Sequence, residues 1–108
     1  MTHPGQPKPP QEGNAYLITP RGEIDNDTAA PLRQELLQAL HSPQPSTLVD
    51  LSQITFGDTA LLNTILQAHQ DHTAHGKPLR FSGPLHRHVA RLLHISRADT
   101  VLDLPPTD

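Results

Sequence analysis

The chain is short, slightly acidic and poor in aromatic residues. Its 108 residues carry a formal net charge of −3, no cysteine and only one tyrosine and two phenylalanines. The lack of cysteine excludes disulfides, thiolate metal sites and a cysteine nucleophile. Scarce aromatic and scattered basic residues argue against nucleic-acid binding. Since no apolar run is long enough to span a membrane or act as a signal region, we expect one small cytoplasmic domain without membrane insertion.

The two ends of the chain differ in composition from its centre. Residues 1–13 hold four prolines and two glycines, with no apolar residue after Met1. Such a segment cannot bury apolar surface, so we expect a disordered tail. The folded domain is predicted over residues 14–104. The remaining residues 105–108 begin with two prolines and are predicted to form a second disordered tail.

The first part of the domain predicts a strand, a turn and a helix. Residues 15–19 are apolar enough for a short strand that Pro20 should end. Residues 22–25 follow as a turn that can resume pairing, and residues 26–28 supply candidate N-caps. The next helix should bury a stripe of leucines, namely Leu32, Leu36, Leu37 and Leu40.

The segment 48–62 is the most informative part of the sequence. An apolar run that includes Val49, Leu51 and Ile54 predicts a buried strand, placed over residues 47–51, and Phe56 and Gly57 should break this run. A helix over residues 59–75 follows, with an apolar stripe at Leu61, Leu62, Ile65 and Leu66. Asp58 is a strong candidate N-cap for this helix, and Gly76 is a typical residue after a helix end.

Three more elements complete the predicted order β-α-β-α-β-α-β. They are a strand over residues 79–82, a helix over residues 85–94 and a last strand over residues 101–104. Alternating strands and helices indicate an α/β domain. We expect a four-stranded, mixed or mainly parallel sheet, with three helices on one face and the other face partly open. The predicted core contains Leu36, Leu40, Val49, Leu51, Leu62, Leu66, Phe81 and Leu92.

Two motifs in this frame resemble the STAS domain of bacterial anti-sigma factor antagonists. Residues 22–25, GEID, resemble a GELD-type signature before the first helix. Residues 48–62, LVDLSQITFGDTALL, resemble the family pattern DLS…V-x-F-x-D-S-S-G-L. Residues 79–84 and 89–93 resemble the following strand and helix of that family. The similarity covers residues 15–104 and implies a STAS-like fold.

The resemblance also implies a function. Family members bind an anti-sigma factor, usually a serine protein kinase, and so release a sigma factor. The kinase phosphorylates the second hydroxyl of the D-S-S-G motif, and the added negative charge changes the docking surface. The resemblance therefore implies a partner-binding site that comprises Gly22, Asp25, Asp58, Thr59 and Ala60. The bare sequence allows a simpler role for two of them, since Asp58 can be only an N-cap and Asp25 only a turn residue.

The sequence departs from the family pattern at the regulatory position. Ala60 replaces the second hydroxyl and Leu61 replaces the glycine, which leaves Thr59 as the candidate phosphorylation site. An antagonist of this kind should bind its partner constitutively or be controlled through Thr59. We favour the first, because a helix-start threonine is often tied to nearby backbone and Asp58 would repel a phosphate. The Asp-Thr-Ala sequence also resembles STAS subunits of lipid-transport ABC systems, which bind an ATPase, and a stressosome-type scaffold is a third possibility.

Enzymatic chemistry and metal binding find little support in the sequence. No nucleophile is accompanied by an orienting base, and no glycine-rich phosphate loop is present, so we expect no enzyme, no catalytic residues and no cofactor. His69, His72 and His75 recur along one helix, but we expect them on an exposed polar face that is not a dedicated metal site. A homodimer through an exposed edge strand is possible.

Overall fold

The computed structural model describes residues 15–107 as five strands and three α-helices. The strands are β1 (Ala15–Ile18), β2 (Gly22–Ile24), β3 (Ser46–Asp50), β4 (Ile54–Gly57) and β5 (Leu79–Ser82). The helices are α1 (Ala29–Leu40), α2 (Thr59–Ala74) and α3 (Arg87–Ile95), and a 3₁₀ turn follows at Ala98–Thr100. The disorder predicted for residues 1–13 lies outside the described residues.

The strands form two parallel sheets. In the larger sheet β3 lies between β1 and β5, and in the smaller sheet β2 pairs with β4. The predicted α/β class, the parallel pairing and the three helices are confirmed. The predicted four-stranded sheet is wrong, because the structure divides five strands between two sheets.

The division into two sheets coincides with interruptions in two neighbouring segments, one between β1 and β2 and the other between β3 and β4. On the first segment, Pro20 has no N–H for pairing and Gly22 has a φ of 77°, a conformation that favours glycine. The Gly22 N–H donates to the carbonyl of Gln53 at 2.9 Å, and pairing resumes with a register shift. Residues 22–24 therefore form a strand, as the sequence allowed. Phe56 and Gly57 do not break the second segment, since they pair with Glu23 and Ile24.

The strand predicted over residues 101–104 does not form. The N–H groups of Val101 and Leu102 donate to the carbonyl of Ala98 at 3.0 and 2.8 Å, which closes a local turn. Leu102 is buried and anchors this loop on the core, whereas Val101 is exposed. Within the segment predicted as a tail, the carbonyl of Pro106 accepts a 2.9 Å hydrogen bond from the N–H of Leu85.

The helices cover the domain unevenly. Helices α1 and α2 pack against each other and against the larger sheet, whereas α3 packs on β4. None of the helices within residues 15–107 has both the length and the apolar character needed to span a bilayer. The buried apolar core unites both sheets and all three helices, and its largest fully buried members are Ile18, Val49, Leu51, Ile54, Leu61, Ile65, Val89 and Leu93.

The predicted core is confirmed at its centre and wrong at its margins. Of the predicted residues, Leu36, Leu40, Val49 and Leu51 are buried. The others are only partly buried, namely Leu62, Leu66, Phe81 and Leu92. Leu37 is 50% exposed although it belongs to the predicted leucine stripe of α1. A four-leucine stripe is wider than the face that the sheet and α2 cover, so one edge of it remains in solvent.

His72 lies inside the core, against the expectation of an exposed histidine face. The residue is 1% exposed, and its Nε2 lies 2.9 Å from Oγ1 of Thr47 on the central strand β3. Its Nδ1 lies 2.8 Å from the carbonyl of Ala68. Since a carbonyl only accepts, Nδ1 carries the proton and Nε2 accepts from the threonine hydroxyl. Burial lowers the pKa of His72, and the nearby charge of Lys77 acts in the same direction. Among the described residues no cluster of three or more metal-ligating side chains occurs.

The end of α2 is fixed by local hydrogen bonds. Gly76 has a φ of 67°, and the N–H groups of Gly76 and Lys77 donate to the carbonyls of Thr73 and His72 at 3.1 and 2.9 Å. This is the Schellman pattern that a glycine after a helix favours. The Nζ of Lys77 also donates to the carbonyls of Ala39 and Ser42 at the end of α1. The ends of the two helices are thereby tied together.

Candidate partner-binding site

The candidate site lies where β2 and β4 end. Ile24 pairs with Gly57, and the N–H of Asp58 donates to the carbonyl of Ile24 at 3.3 Å. Asp25 and Asp58 are the next residues on the two strands, so they meet at the same sheet edge. The carboxyl ends of parallel strands are where α/β proteins place binding residues.

Asp58 caps helix α2, as the sequence predicts. Its backbone is extended, and its Oδ1 accepts a 2.8 Å hydrogen bond from the N–H of Ala60. Its carbonyl accepts from the N–H of Leu62 at 3.2 Å, which begins the helical pattern. The carboxylate therefore satisfies a free backbone donor at the positive end of the helix. This capping fixes the position of Thr59 as the first helical residue.

Thr59 and Ala60 differ in what they offer a partner. Thr59 is exposed, and its hydroxyl forms no hydrogen bond to any residue between 15 and 107. Ala60 is partly buried and has no hydroxyl, while its carbonyl accepts a 2.6 Å bond from Oγ1 of Thr64. The expectation that local backbone ties down the Thr59 hydroxyl is wrong. An exposed hydroxyl is thus present at residue 59 and lacking at residue 60.

Asp25 organises the turn before α1. Its Oδ1 accepts from the N–H groups of Asp27 and Thr28 at 2.9 and 3.1 Å, and its own N–H donates to Oγ1 of Thr28 at 2.8 Å. The Thr28 hydroxyl lies 2.9 Å from the carbonyl of Glu23, to which it can donate. Thr28 is the N-cap residue, but its side chain makes no capping bond to the helix. The Asp25 carboxylate is thus committed to holding the turn at the edge of the site.

Gly22 lies apart from the other predicted site residues. It pairs with Ile54 at the opposite end of β2, and the space where a Cβ would sit is open. Its positive φ serves the bend between β1 and β2. The structure brings together Asp25, Asp58, Thr59 and Ala60, and it leaves Gly22 at the far end of the strand.

Two exposed residues at the site were not predicted from the sequence. Glu23 and Phe56 form a cross-strand pair just before the buried pair of Ile24 and Gly57, and Phe56 is 46% exposed. Aromatic residues, phenylalanine among them, are enriched at protein interfaces relative to the rest of the surface. The available signal was an aromatic residue two positions before a capping aspartate, in a chain with three aromatic residues.

We call these neighbouring residues the α2-start surface, which consists of Glu23, Asp25, Phe56, Asp58, Thr59 and Ala60. Three of its six members are acidic and none is basic. Gly57 lies beneath it, and a Cβ added there would overlap the side chain of Leu61. The glycine therefore lets α2 start close against β4, which sets the position of the whole surface.

Comparison with known proteins identifies the fold. A sequence model of the STAS domain, described as "Mlab, STAS domain", matches residues 9–104. An anti-sigma factor antagonist from Mycobacterium paratuberculosis is similar in structure, with a TM-score of 0.72 and 23% sequence identity over 87% of this chain and 79% of that one. A Thermotoga maritima protein provisionally described as an anti-sigma factor antagonist has a TM-score of 0.68 and 18% identity over 84% and 78%. No curated protein sequence matches the chain.

Proposed function

Since the chain belongs to the STAS domain family, we propose that it is a protein-binding module that acts as an anti-sigma factor antagonist and not as an enzyme. The partner is an anti-sigma factor of the serine-kinase type, and its capture releases a sigma factor. One observation carries the proposal: the pairing of β2 with β4 joins two separate sequence motifs into one exposed surface around Phe56 and Thr59. The STAS-like neighbours support the fold on which this surface stands.

The chemistry of the surface supports binding more than catalysis. The carboxylates of Asp25 and Asp58 accept hydrogen bonds from backbone N–H groups of their own turns. A catalytic aspartate would instead be paired with a nucleophile or a base. The exposed aromatic ring of Phe56 gives a partner apolar contact area, and the acidic residues around it favour a basic rim on that partner.

Two threonines on α2 provide a matched test of this location. Thr59 and Thr73 are both exposed and lie at opposite ends of the helix. Thr59→Arg should weaken binding to the anti-sigma factor by about tenfold or more, a free-energy loss of roughly 1.4 kcal/mol. Thr73→Arg should leave the affinity unchanged. Isothermal titration calorimetry measures both, and equal losses for the two variants would refute a localised surface.

We further propose that kinase control, where it operates, acts on Thr59. Ala60 has no hydroxyl, whereas the Thr59 hydroxyl is exposed and has no hydrogen-bond partner among residues 15–107. A phosphate there would add charge to an acidic surface and alter docking without unfolding the domain.

The test is intact-mass measurement after incubation with the cognate kinase and ATP. Wild type should gain about 80 Da, the mass of one phosphate group, and Thr59→Ala should gain nothing. A wild type that stays unmodified while Ala60→Ser is phosphorylated would show that the chain lacks this switch and binds constitutively.

A second function, the STAS subunit of a lipid-transport ABC system, is favoured by Ala60. A subunit that binds a transporter ATPase through this surface needs no phosphorylatable hydroxyl at residue 60. The sequence Asp58-Thr59-Ala60 also resembles the corresponding sequence of such subunits. The two functions are separated by titrating the chain with the purified serine kinase and with the purified ABC ATPase from the same genome. Tight binding to the ATPase alone would replace the first proposal by the second.

A further inference from the structure

A shallow apolar groove runs between α1 and α2, outside the α2-start surface. Its volume is about 120 Å³, and its floor includes Leu36, Leu40 and Ala68. Leu37 stands beside it, with half of its surface exposed to solvent. A cavity of roughly 150 Å³ can hold a benzene molecule, so this groove suits one aliphatic side chain of a partner. The chain thus presents both an apolar side chain and a groove of matching size.

The two ends of the groove carry opposite charges. Helix α1 leads from β2 to β3 and α2 leads from β4 to β5, and the pairs β2–β4 and β3–β5 are both parallel. The two helices therefore run in the same direction. Arg33 therefore lies toward the N-terminal end of the groove, and Asp71 lies toward its C-terminal end. Within residues 15–107 neither forms an ion pair, since the one pair there joins His94 and Asp99.

We propose that this groove is the interface of a homodimer with twofold symmetry. A twofold axis across the groove reverses the direction of the second copy, so its Asp71 end meets the Arg33 end of the first. Two Arg33–Asp71 pairs form between the copies, and Leu37 of each copy enters the groove of the other. The interface is small, so we expect a weak, concentration-dependent dimer.

This dimer differs from pairing through the edge strands β1 and β5. Strand pairing uses backbone groups and would be indifferent to charges on the helices. The helix-to-helix dimer also leaves the α2-start surface free, because none of the six residues of that surface lines the groove. The inference is therefore independent of the proposed partner and of its identity.

Sedimentation equilibrium over a micromolar concentration series tests the dimer directly. Wild type should dimerise, and Leu37→Glu, Arg33→Asp and Asp71→Arg should each weaken dimerisation by about tenfold or more. Glu35→Arg is the matched control, since Glu35 is exposed on α1 but does not line the groove. It should dimerise like wild type. Circular dichroism confirms that each variant is folded.

Exchanging the charges of Arg33 and Asp71 tests the proposed ion pairs more directly than the single variants do. Arg33→Asp carries two acidic groove residues and Asp71→Arg carries two basic ones, so a mixture of these two chains should form a heterodimer with both ion pairs restored. The double variant Arg33→Asp/Asp71→Arg should also dimerise again. A wild type that stays monomeric throughout the series would overturn the proposal. So would a dimer that ignores all of these substitutions, or single variants that mixing fails to rescue.

Discussion

Two turns meet at the same edge of the sheet, and each carries an aspartate just before a helix. In the β2–α1 turn, Asp25 lies four residues before the helix and accepts hydrogen bonds from the backbone of Asp27 and Thr28. In the β4–α2 turn, Asp58 is the N-cap itself and accepts from Ala60. The first turn is longer and is stabilised by hydrogen bonds between its own residues. The second turn is short, and it places Thr59 in solvent at the positive end of α2.

This difference indicates that the β2–α1 turn mainly stabilises the fold and that the β4–α2 turn mainly presents side chains to a partner. The β2–α1 turn uses its aspartate to fix the loop conformation, so that carboxylate contributes mainly rigidity and negative charge. The β4–α2 turn uses its aspartate to start a helix, and this leaves the neighbouring Thr59 hydroxyl without a hydrogen bond to residues 15–107. The affinity of a partner that binds this sheet edge should therefore depend more on the side chains of the β4–α2 turn than on those of the β2–α1 turn.

The largest expected effect concerns the glycine beneath the second turn. Gly57→Ala should destabilise the fold by about 1–3 kcal/mol, because the new Cβ overlaps Leu61 and forces α2 away from β4. Chemical denaturation monitored by circular dichroism measures the change in the free energy of unfolding. A change of only a few tenths of a kcal/mol would show that α2 does not rely on this close approach.

The two aspartates should differ in their contribution to stability. Asp25→Ala removes two side-chain hydrogen bonds to the backbone of its turn and should cost about 2 kcal/mol, or about 1 kcal/mol for each bond. Asp58→Ala removes one capping bond and should cost about 1 kcal/mol. Asp25→Asn and Asp58→Asn keep an accepting oxygen and serve as controls with smaller losses. The reverse order of the two alanine variants in denaturation experiments would contradict the roles assigned to the two turns.

A smaller effect, outside both turns, should come from His72. Burial lowers the pKa of this histidine in the folded state below its ordinary value of 6.5. The unfolded chain therefore binds the proton first, and the stabilising contribution is complete above pH 6.5 and is lost as the pH falls below it. The free energy of unfolding should decrease accordingly between neutral and mildly acidic pH.

The substitution His72→Gln isolates this pH effect. The variant should show a flatter dependence of stability on pH below 6.5 than wild type. His88→Gln, which replaces an exposed histidine of α3, should keep the wild-type slope. If the slope persists in His72→Gln, the pH dependence belongs to other groups.

The sequence allowed prediction of those elements whose signals are local. The cap at Asp58 and the helix end at Gly76 follow from the preferences of single residues for helix termini, and both are confirmed. The alternation of predicted strands and helices then indicated a mainly parallel sheet, and the resemblance to STAS domains supplied the fold family. The prediction of a fourth strand over residues 101–104 was wrong because it rested on a local signal alone. Four residues that include two leucines and a valine have the same apolar pattern whether they pair in a sheet or anchor a loop on the core.

The features that sequence reasoning missed depend on packing between distant elements. His72 is buried because Thr47, twenty-five residues earlier, lies opposite it and completes its hydrogen bonds. Phe56 pairs across the sheet with Glu23, and both residues are exposed. Neither partner can be identified from periodicity within one segment. The grouping of Asp25 with Asp58 was accessible only through the family resemblance, and Gly22 was grouped with them although it lies at the far end of β2.

The central claim, that one partner binds the α2-start surface, is tested most directly by nuclear magnetic resonance. The ¹⁵N-labelled chain is titrated with the unlabelled anti-sigma kinase or ABC ATPase, and changes in the backbone amide signals are mapped on the fold. The account predicts that the largest changes occur in residues 23–25 and 56–60, with little change at the C-terminal end of α2. The largest changes at α3 or in the groove between α1 and α2, with residues 56–60 unaffected, would contradict it.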